Sequence, residues 1–424
     1  MAARLVCVSA LVLALCASSR AGAETRKHTS AAPTAKTQAA AVAYQQLPPQ
    51  RVKAALRDFG HWLDAIQGSG RVTGMSSAII IGDKVRFERS FGYTDVSTHE
   101  KVKPTTVFRL ASLSKAFSSA LAGLLVRDGY FAWDTKIADV LPFFKLKNEA
   151  AAEKVTVRDI LSQRVGLPHN TYDHKLENDV PYRQLVRELN QVDMTCGVGE
   201  CYAYQNIAFS LLGDLVYAKT GDFFSHAVAK RLFQPLGMHT ATFGRSELEA
   251  SASWAHPHVR GHHGWVAVVP KPNYYRVMPA AGVNASIRDM EPWLIAQMGG
   301  RPKILPPALL KQLHTPEVDT PGQANATPWR RARLRHAGYA LGWRSFDYSG
   351  HTMVYHAGAV EGYRTIIAFM PEYRIGMVML WNCNSVVPGG LVPMLFDRLL
   401  GLPQVDWANV KGARRASARR AHQR

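Results

Sequence analysis

Cysteine is scarce in this chain, with five residues among 424, and this excludes a scaffold built on disulfides. No stretch beyond the first 23 residues approaches 18 uninterrupted apolar residues, so a membrane-spanning helix is not expected in the mature chain. The 32 glycines and 23 prolines follow no fixed period, which excludes collagen-like and low-complexity classes. Acidic residues are also few: 32 Asp and Glu stand against 51 Lys and Arg, a formal net charge of +19. The remaining composition, 47% hydrophobic and 20% charged, is typical of a soluble globular protein.

The N-terminus has the pattern of an export signal. Arg4 is followed by an apolar run over 5–17 and then by a small-x-small triplet that ends at Ala23. An apolar run of this length is typical of a signal peptide and too short to span a bilayer. Cys16 could mark a lipid anchor, but the large leucine before it disfavours that processing. We expect a signal peptide over 1–23, cleaved at its end, and a periplasmic or secreted protein.

Both flanks of the chain have the composition of unpacked segments. Residues 24–50 are rich in Ala, Thr, Gln and Pro and predict a flexible leader. We expect 404–424 to be a basic tail, because six positive residues between 411 and 424 alternate with Ala and Ser and with no acid or aromatic. This composition predicts a solvated tail that could contact an anionic cell surface weakly, and not a nucleic-acid module. A second basic cluster beside Pro328 predicts an exposed loop: Arg330, Arg331, Arg333 and Arg335.

Hydrophobic spacing predicts an α+β fold. Apolar residues from Val52 to Ile66 recur at helical intervals, and β-rich runs surround Gly82-Asp83 as in a hairpin. Between about 110 and 335 the patterns are mostly helical. Strands near both ends of the chain predict one antiparallel β-sheet flanked by helices, with a large inserted all-α lobe, in one domain over 51–403. The predicted strands are 76–81, 84–91, 353–356, 363–370 and 375–381.

The segment 108–115 holds the first candidate for chemistry. Ser112 lies at the start of a predicted helix, where free N–H groups and the helix dipole favour a developing negative charge. Lys115 follows one turn later, so its ammonium group lies on the same face as the hydroxyl. A serine is a poor nucleophile until a base takes its proton, and a desolvated lysine can assist. Taken alone, this spacing is also compatible with a capping serine and a solvated lysine.

Two further motifs stand in a known order after the first. Tyr204-Gln205-Asn206 precedes a helical stretch, and His356-Ala357-Gly358 ends a predicted strand. The order Ser-x-x-Lys, Tyr-x-Asn and Lys/His-x-Gly resembles the serine β-lactamase and penicillin-binding protein superfamily. The sequence is most similar to the class C branch, which includes class C β-lactamases, D-alanyl-D-alanine carboxypeptidases and related esterases. The resemblance covers about 51–403 and includes the segments 91–93, 106–115, 155–168, 211–213 and 279–282.

The resemblance implies a serine β-lactamase-like fold and a mechanism. Ser112 would attack a carbonyl and form a covalent acyl-enzyme, needing no cofactor and no metal. Lys115 and Tyr204 would share the proton transfer, with the tyrosine pKa lowered by nearby positive charge. The N–H groups of Ser112 and Ala359 would form the oxyanion hole. Substrate contacts are implied at Asn206, His356, Gly358, Ala359 and Asn170.

The resemblance also implies a small-molecule substrate and, we expect, a monomeric enzyme. β-Lactam hydrolysis is the leading expectation. D-alanyl peptide cleavage or small-ester hydrolysis by the same fold is the first alternative, and a penicillin-binding sensor that acylates without turnover is the second. His356 stands where many β-lactamases have lysine, so recognition of a substrate carboxylate would depend on protonation near neutral pH.

Cysteine and histidine show features outside the family motifs. Cys196 and Cys201 flank a turn before Tyr204, and in an oxidising compartment a disulfide between them is predicted, with Cys383 left unpaired and buried. Four histidines crowd around Gly261. Such a cluster can bind zinc, but it lacks cysteine and acidic partners, so an exposed loop is predicted. The four are His256, His258, His262 and His263.

Overall fold

The structure, a computed structural model, describes residues 44–412. The predicted signal peptide, most of the leader 24–50 and the end of the basic tail 404–424 lie outside the described residues. Within the described range the strands form sheets of eight, three and two members. Their bounds are β1 (Gly74–Ile81), β2 (Lys84–Gly92), β3 (Phe108–Arg109), β4 (Thr242–Phe243), β5 (His258–Gly261), β6 (Gly264–Ala267), β7 (Val283–Ala285), β8 (Val318–Asp319), β9 (Leu334–Tyr339), β10 (Arg344–Tyr348), β11 (His351–Val360), β12 (Tyr363–Met370) and β13 (Ile375–Trp381).

Most helices lie between β2 and β9 in the chain. The α-helices are α1 (Pro49–Ser69), α2 (Ser114–Arg127), α3 (Ile137–Val140), α4 (Glu149–Ala152), α5 (Val157–Leu161), α6 (Asp173–Glu177), α7 (Tyr182–Glu188), α8 (Leu211–Thr220), α9 (Phe224–Val228), α10 (Gln234–Leu236), α11 (Arg245–Glu249), α12 (Met278–Ala281), α13 (Ile287–Gln297), α14 (Pro307–His314), α15 (Pro321–Ala324), α16 (Pro328–Arg333) and α17 (Leu391–Leu400). Short 3₁₀ turns occupy Ala111–Leu113, Leu189–Gln191, Ala208–Ser210, Asn273–Arg276, Pro371–Tyr373 and Val387–Gly390, and a π-helical turn occupies Ala229–Phe233.

The main sheet brings the two ends of the domain together. Its strand order is β2-β1-β13-β12-β11-β10-β9-β8, and β1 pairs antiparallel with β13 in a register that places Ile79 opposite Met377. Alternate residues of a strand face opposite sides of the sheet. Ile79 and Met377 therefore enter the core beneath α1 and α17, whereas Ile80 and Val378 enter the larger core shared with the helical lobe. The expected antiparallel sheet flanked by helices, with a large inserted lobe, is confirmed, but the lobe is not all-α because it contains the short strands β4 to β7.

The sheet extends further than the sequence pattern predicted. The expected exposed loop around Arg330 is instead α16 followed by β9, and β8 to β10 widen the sheet beyond β11. Arg330 is buried, with its guanidinium carbon 5.1 Å from the ring centre of Phe346. Arg333 donates two hydrogen bonds, of 2.7 and 2.9 Å, to the buried carboxylate of Asp397. The prediction was wrong because aromatic rings and a carboxylate from distant segments cover these arginines, and local spacing does not reveal such partners.

Both ends of the described chain pack against the domain. The Gln45 N–H donates to the Glu372 carbonyl, in the turn between β12 and β13, at 2.9 Å, and residues 49 and 50 of the predicted leader already belong to α1. Ala408 and Val410 are buried in the core beneath α1 and α17, and residues 404–412 are therefore not the solvated tail that we expected. Between residues 44 and 412, no helix combines the length and apolarity needed to cross a membrane.

Candidate active site

Ser112 lies in the 3₁₀ turn that leads directly into α2. Ala111 before it has φ of +50°, a left-handed conformation that costs a non-glycine residue about 1–2 kcal/mol. Ser114 fixes this turn, because its hydroxyl donates to the Ala111 carbonyl at 2.7 Å and accepts from the Val283 N–H at 3.0 Å. A strained backbone held by its surroundings is typical of a functional position, and here it presents Ser112 to a cavity of about 240 Å³.

Lys115 is completely buried beneath this cavity. Its Nζ lies 3.5 Å from Ser112 Oγ, and it donates to Asn206 Oδ1 at 2.6 Å and to the Ala280 carbonyl at 3.1 Å. Burial lowers the pKa of Lys115 well below its ordinary value, against a smaller opposing effect of Asp173. A buried amine with a lowered pKa can accept the proton of a neighbouring hydroxyl near neutral pH.

Tyr204 is buried and lines the same cavity as Ser112. Its ring centre lies 4.5 Å from Lys115 Nζ. Burial raises the pKa of Tyr204 and outweighs Arg344 and Ser112, which both act to lower it. The expectation of a lowered tyrosine pKa was therefore wrong. The phenol stays protonated at neutral pH, so it can relay a proton but does not begin as a phenolate.

Asn206 connects the buried amine to a carboxylate. Its side-chain oxygen accepts from Lys115 Nζ, and its Nδ2 donates to Asp173 Oδ2 at 2.8 Å. The predicted substrate contact Asn170 lines the cavity as well. It has φ of +55° and donates its backbone N–H to the Tyr204 carbonyl at 2.7 Å. The structure thus brings Asn170, Tyr204 and Asn206 to one wall of the cavity.

His356 lies behind the cavity wall and is fully buried. Its Nδ1–H donates to the Ala357 carbonyl at 2.9 Å, and its Nε2 lies 3.4 Å from both Arg344 Nη1 and Tyr339 Oη. Burial lowers the pKa of His356 well below its ordinary value, and Arg344 and Lys115 act in the same direction. These observations correct our expectation that a protonated His356 holds an anionic substrate group. The positive charge at this position belongs to Arg344.

The end of β11 passes very close to the turn that carries Ser112. A Cβ added at Gly358 would lie 2.2 Å from the Leu110 carbonyl oxygen and 3.2 Å from the Ser112 nitrogen. Glycine is needed here for close packing, and the expected substrate contact of Gly358 stays a prediction. Ala359, the next residue, lines the cavity together with Ser112. Their backbones meet at the place where an oxyanion hole is expected.

Several cavity residues were missed from the sequence. Arg344 lies on β10, a strand that we did not predict, and its guanidinium carbon is 5.6 Å from the ring centre of Tyr204. None of the acidic residues within 44–412 forms a salt bridge with it, and its Nε is buried without a hydrogen-bond partner. No local motif marks such a residue. The other missed lining residues are His169, Asp173, Tyr274, Ala281, Gln323 and Val360.

The loop before Tyr204 contains the predicted disulfide. Cys196 and Cys201 are bonded, with Cα atoms 6.2 Å apart. The Ala203 N–H donates to the Gln163 carbonyl at 2.9 Å, which ties the end of this loop to the residues after α5. Within the described chain Cys383 is free and buried, as expected.

The four histidines do not form one exposed loop. His258 is fully buried in β5, where its Nδ1–H donates to the Asn382 carbonyl at 2.9 Å and its Nε2 accepts from the Val96 N–H at 3.2 Å. His256 stacks on Trp254 with ring centres 3.8 Å apart. The expectation of exposure holds for the turn between β5 and β6, which contains His262 and His263. Across residues 44–412, no group of three or more His, Cys, Asp or Glu side chains is placed to hold a metal ion.

The fold combines an antiparallel sheet with a large helical insertion. At its cavity lies a serine, with a buried lysine one helical turn further on. This is the arrangement of the serine β-lactamase-like fold. The chain belongs to the Beta-lactamase family, whose model matches residues 52–392. The family and fold class expected from the sequence are thereby confirmed.

Known proteins with a similar sequence or fold are consistent with this assignment. The chain is 27% identical over 338 residues to Protein flp of Staphylococcus aureus strain MW2, a match that covers 78% of this chain and 63% of that protein. The chain thus spans somewhat under two thirds of the length of this curated relative. Its fold is similar to the octameric penicillin-binding protein homologue from Pyrococcus abyssi, with a TM-score of 0.71, 23% identity and coverage of 82% and 78% of the two chains. It is also similar to EstCE1, a hydrolase with promiscuous acyltransferase activity, with a TM-score of 0.67, 18% identity and coverage of 82% and 98%.

Proposed function

We propose that this protein is an exported serine hydrolase that cleaves amide or ester carbonyls through a covalent acyl-enzyme on Ser112. The cluster of Ser112, Lys115 and Tyr204 carries the proposal: a hydroxyl on a strained turn lies 3.5 Å from a buried amine, and the ring centre of a buried phenol lies 4.5 Å from the same amine. Export rests on the signal-peptide pattern of the first 23 residues. Membership of the Beta-lactamase family supports the same chemistry.

The acylation step follows from these positions. The neutral amine of Lys115 accepts the proton of Ser112 while Ser112 Oγ bonds to the substrate carbonyl carbon, giving a tetrahedral oxyanion. Backbone N–H groups of Ser112 and Ala359 stabilise that negative charge. The carbon–nitrogen or carbon–oxygen bond then breaks, and the leaving group takes a proton relayed through the hydroxyl of Tyr204. The products are the acyl-enzyme and a neutral amine or alcohol.

Deacylation repeats the sequence with water as the nucleophile. Water adds to the acyl carbon as its proton passes to the Tyr204–Lys115 pair, and the bond from Ser112 Oγ to that carbon breaks. Ser112 takes the proton back, and a carboxylic acid leaves. No further reactant is consumed, so the hydrolysis is balanced by one water molecule.

Arg344 favours substrates that carry a carboxylate near the scissile bond. Its guanidinium lines the cavity without a salt-bridge partner in the described part of the chain, and guanidinium groups bind carboxylates through paired hydrogen bonds. β-Lactams and peptides with a C-terminal D-alanine have this feature, and β-lactams remain the leading substrate in our proposal.

A turnover panel tests the proposal. Nitrocefin, a D-alanyl-D-alanine peptide and p-nitrophenyl butyrate are given to the mature protein, to Ser112→Ala and to Ser246→Ala, a control at an exposed serine in α11. We expect turnover of at least one substrate by wild type and the control, and none by Ser112→Ala. Stoichiometric release without turnover would indicate a penicillin-binding sensor, and equal turnover by Ser112→Ala would refute the proposal.

A further inference from the structure

The cavity contains a carboxylate that the acyl transfer does not use. Asp173 begins α6, lines the cavity and is only 9% exposed. Its Oδ2 accepts one hydrogen bond, from Asn206 Nδ2 at 2.8 Å, whereas its Oδ1 is buried and has no partner. No lysine or arginine of the described chain forms a salt bridge with this carboxylate. A buried oxygen of this kind is unfavourable unless something else supplies its hydrogen bond.

The backbone holds Asp173 in this unfavourable place. Two of the three residues before it have left-handed conformations, Asn170 with φ of +55° and Tyr172 with φ of +63°. Hydrogen bonds fix the segment to the catalytic wall, since the Asn170 N–H donates to the Tyr204 carbonyl and the Tyr204 N–H donates to His169 Nδ1 at 3.0 Å. Strain and an unpartnered charge at the same point are typical of a site that awaits a ligand.

The charges around Asp173 favour a cation. Glu177, one turn further along α6, accepts a hydrogen bond from the Tyr274 hydroxyl at 2.8 Å, and Tyr274 also lines the cavity. The amine of Lys115 already donates to Asn206 and to a backbone carbonyl. Burial raises the pKa of Asp173 to about 6, with Glu177 acting in the same direction and with Asn206, Lys115 and His174 opposing. The carboxylate is therefore mostly ionised at pH 7.

We propose that Asp173 binds a free ammonium group of the substrate, so that the enzyme prefers small unblocked amino-acid derivatives over those whose amine is acylated. An ammonium offers three N–H donors, one of which can satisfy Asp173 Oδ1 in a charge-assisted hydrogen bond. The cavity volume of about 240 Å³ suits a compound of this size. With Arg344 as the cationic group of the same cavity, the site matches a substrate that carries both charges. This inference rests on the proposed acyl transfer by Ser112, and it favours the D-alanyl peptide alternative over penicillins and cephalosporins, in which the corresponding amine is acylated.

Matched substrates test the inference. Alanine p-nitroanilide and N-acetylalanine p-nitroanilide, each in D and L form, are compared at pH 7 with the mature wild type, Asp173→Asn and Asp139→Asn. Asp139 is exposed, lies outside the cavity and provides the same change of charge. We expect kcat/KM to favour the free amine at least tenfold in wild type and in Asp139→Asn, and less than threefold in Asp173→Asn. A site that hydrogen-bonds a substrate group rejects analogues that lack it, because its own buried group is left unpaired.

The remaining outcomes of this experiment also bear on the role of Asp173. If Asp173→Asn fails to fold, as judged by thermal unfolding, the test is the kcat/KM ratio of the free over the acetylated anilide in the wild type. A ratio of at least tenfold supports the inference, and a ratio near one overturns it. If neither anilide is cleaved, inhibition of p-nitrophenyl butyrate turnover by alaninamide and by N-acetylalaninamide is measured in place of anilide cleavage. We then expect the free amine to inhibit at least tenfold more strongly than the acetylated compound. Equal handling of free and acetylated compounds, or a preference that survives in Asp173→Asn, overturns the role of Asp173. Ser112-dependent ester turnover in that event leaves the proposed acyl transfer intact, and its absence refutes the acyl transfer itself.

Discussion

Arg344 Nη1 lies 3.4 Å from His356 Nε2, and the histidine is buried behind the arginine. The His356 ring has its other nitrogen donating to the Ala357 carbonyl, so Nε2 is left as an acceptor for the guanidinium. Burial and the neighbouring cation lower the pKa of His356. The histidine therefore orients a permanent positive charge and does not supply one that depends on pH.

Substrate recognition by Arg344 should be independent of pH near neutrality. The lowered pKa of His356 keeps its ring neutral from pH 6 to 8, and arginine stays charged throughout. We measure KM for a carboxylate-bearing β-lactam between pH 6 and 8 in the wild type and in His356→Gln. We expect the two proteins to show the same dependence of KM on pH. A rise in KM between pH 6 and 8 that His356→Gln removes would restore the original expectation.

Replacing the arginine itself should lower the preference for anionic substrates. Arg344→Gln removes a charge-assisted hydrogen bond worth about 1.5–3 kcal/mol, which is about 10- to 100-fold in kcat/KM for a carboxylate substrate relative to a neutral ester. Arg331→Gln, at an exposed position of α16, is the control. An unchanged ratio of the two kcat/KM values in Arg344→Gln would exclude Arg344 from carboxylate binding.

Tyr204→Phe should reduce the rate about 10²–10⁴-fold, because it removes the proton-carrying hydroxyl and retains the ring. Tyr217→Phe is the matched control, since Tyr217 is 54% exposed. We compare kcat for p-nitrophenyl butyrate in the two variants, and circular dichroism checks that both are folded. A loss below about threefold would assign the proton relay elsewhere.

The pH dependence of kcat/KM should follow the titration of Lys115. Burial lowers the pKa of the Lys115 ammonium group. The neutral amine that accepts the proton is therefore present above this lowered pKa and is lost as the pH falls through it. With a neutral ester, we expect activity to rise with pH and to level off well below the ordinary lysine pKa of about 10.4. Lys115→Met should lose this activity, and Lys219→Met, at an exposed position, should retain it. An activity that keeps rising to pH 10 would contradict the assignment of Lys115 as the base.

Reduction of the Cys196–Cys201 bond should affect activity more than stability. The bond closes a short loop before Tyr204 and offers little gain in chain entropy, but it fixes the approach to the tyrosine. Mild reductant is expected to lower kcat severalfold with a small change in melting temperature. Non-reducing peptide mapping should find the linked pair. Three free thiols in mature protein from an oxidising compartment would refute the Cys196–Cys201 disulfide.

The sequence predicted those features that depend on local geometry. Ser112 and Lys115 are one helical turn apart, so their proximity follows from the helix itself. Asp173 and Arg344 could not be found in this way, because their place in the cavity depends on a loop and a strand that tertiary contacts position. His356 shows the same limit: its motif was recognised, but its burial and the arginine in front of it are properties of the folded sheet.

β9 and β10 were missed for a related reason. The segment Leu334–Tyr339 lacks a clean alternation of apolar and polar residues, and the arginines before it indicated an exposed loop. Two of those arginines are covered: Arg330 by aromatic rings, and Arg333 by the carboxylate of Asp397, more than 60 residues away in the chain. Burial of this kind depends on the completed fold.

Covalent labelling followed by intact-mass spectrometry tests the central claim most directly. The mature wild type, Ser112→Ala and Ser246→Ala are treated with a penicillin or an activated ester, and the modified peptide is sequenced. We predict one adduct per chain on Ser112 in wild type and in Ser246→Ala, and none in Ser112→Ala. An undiminished adduct on Ser112→Ala would contradict the assignment of Ser112 as the nucleophile.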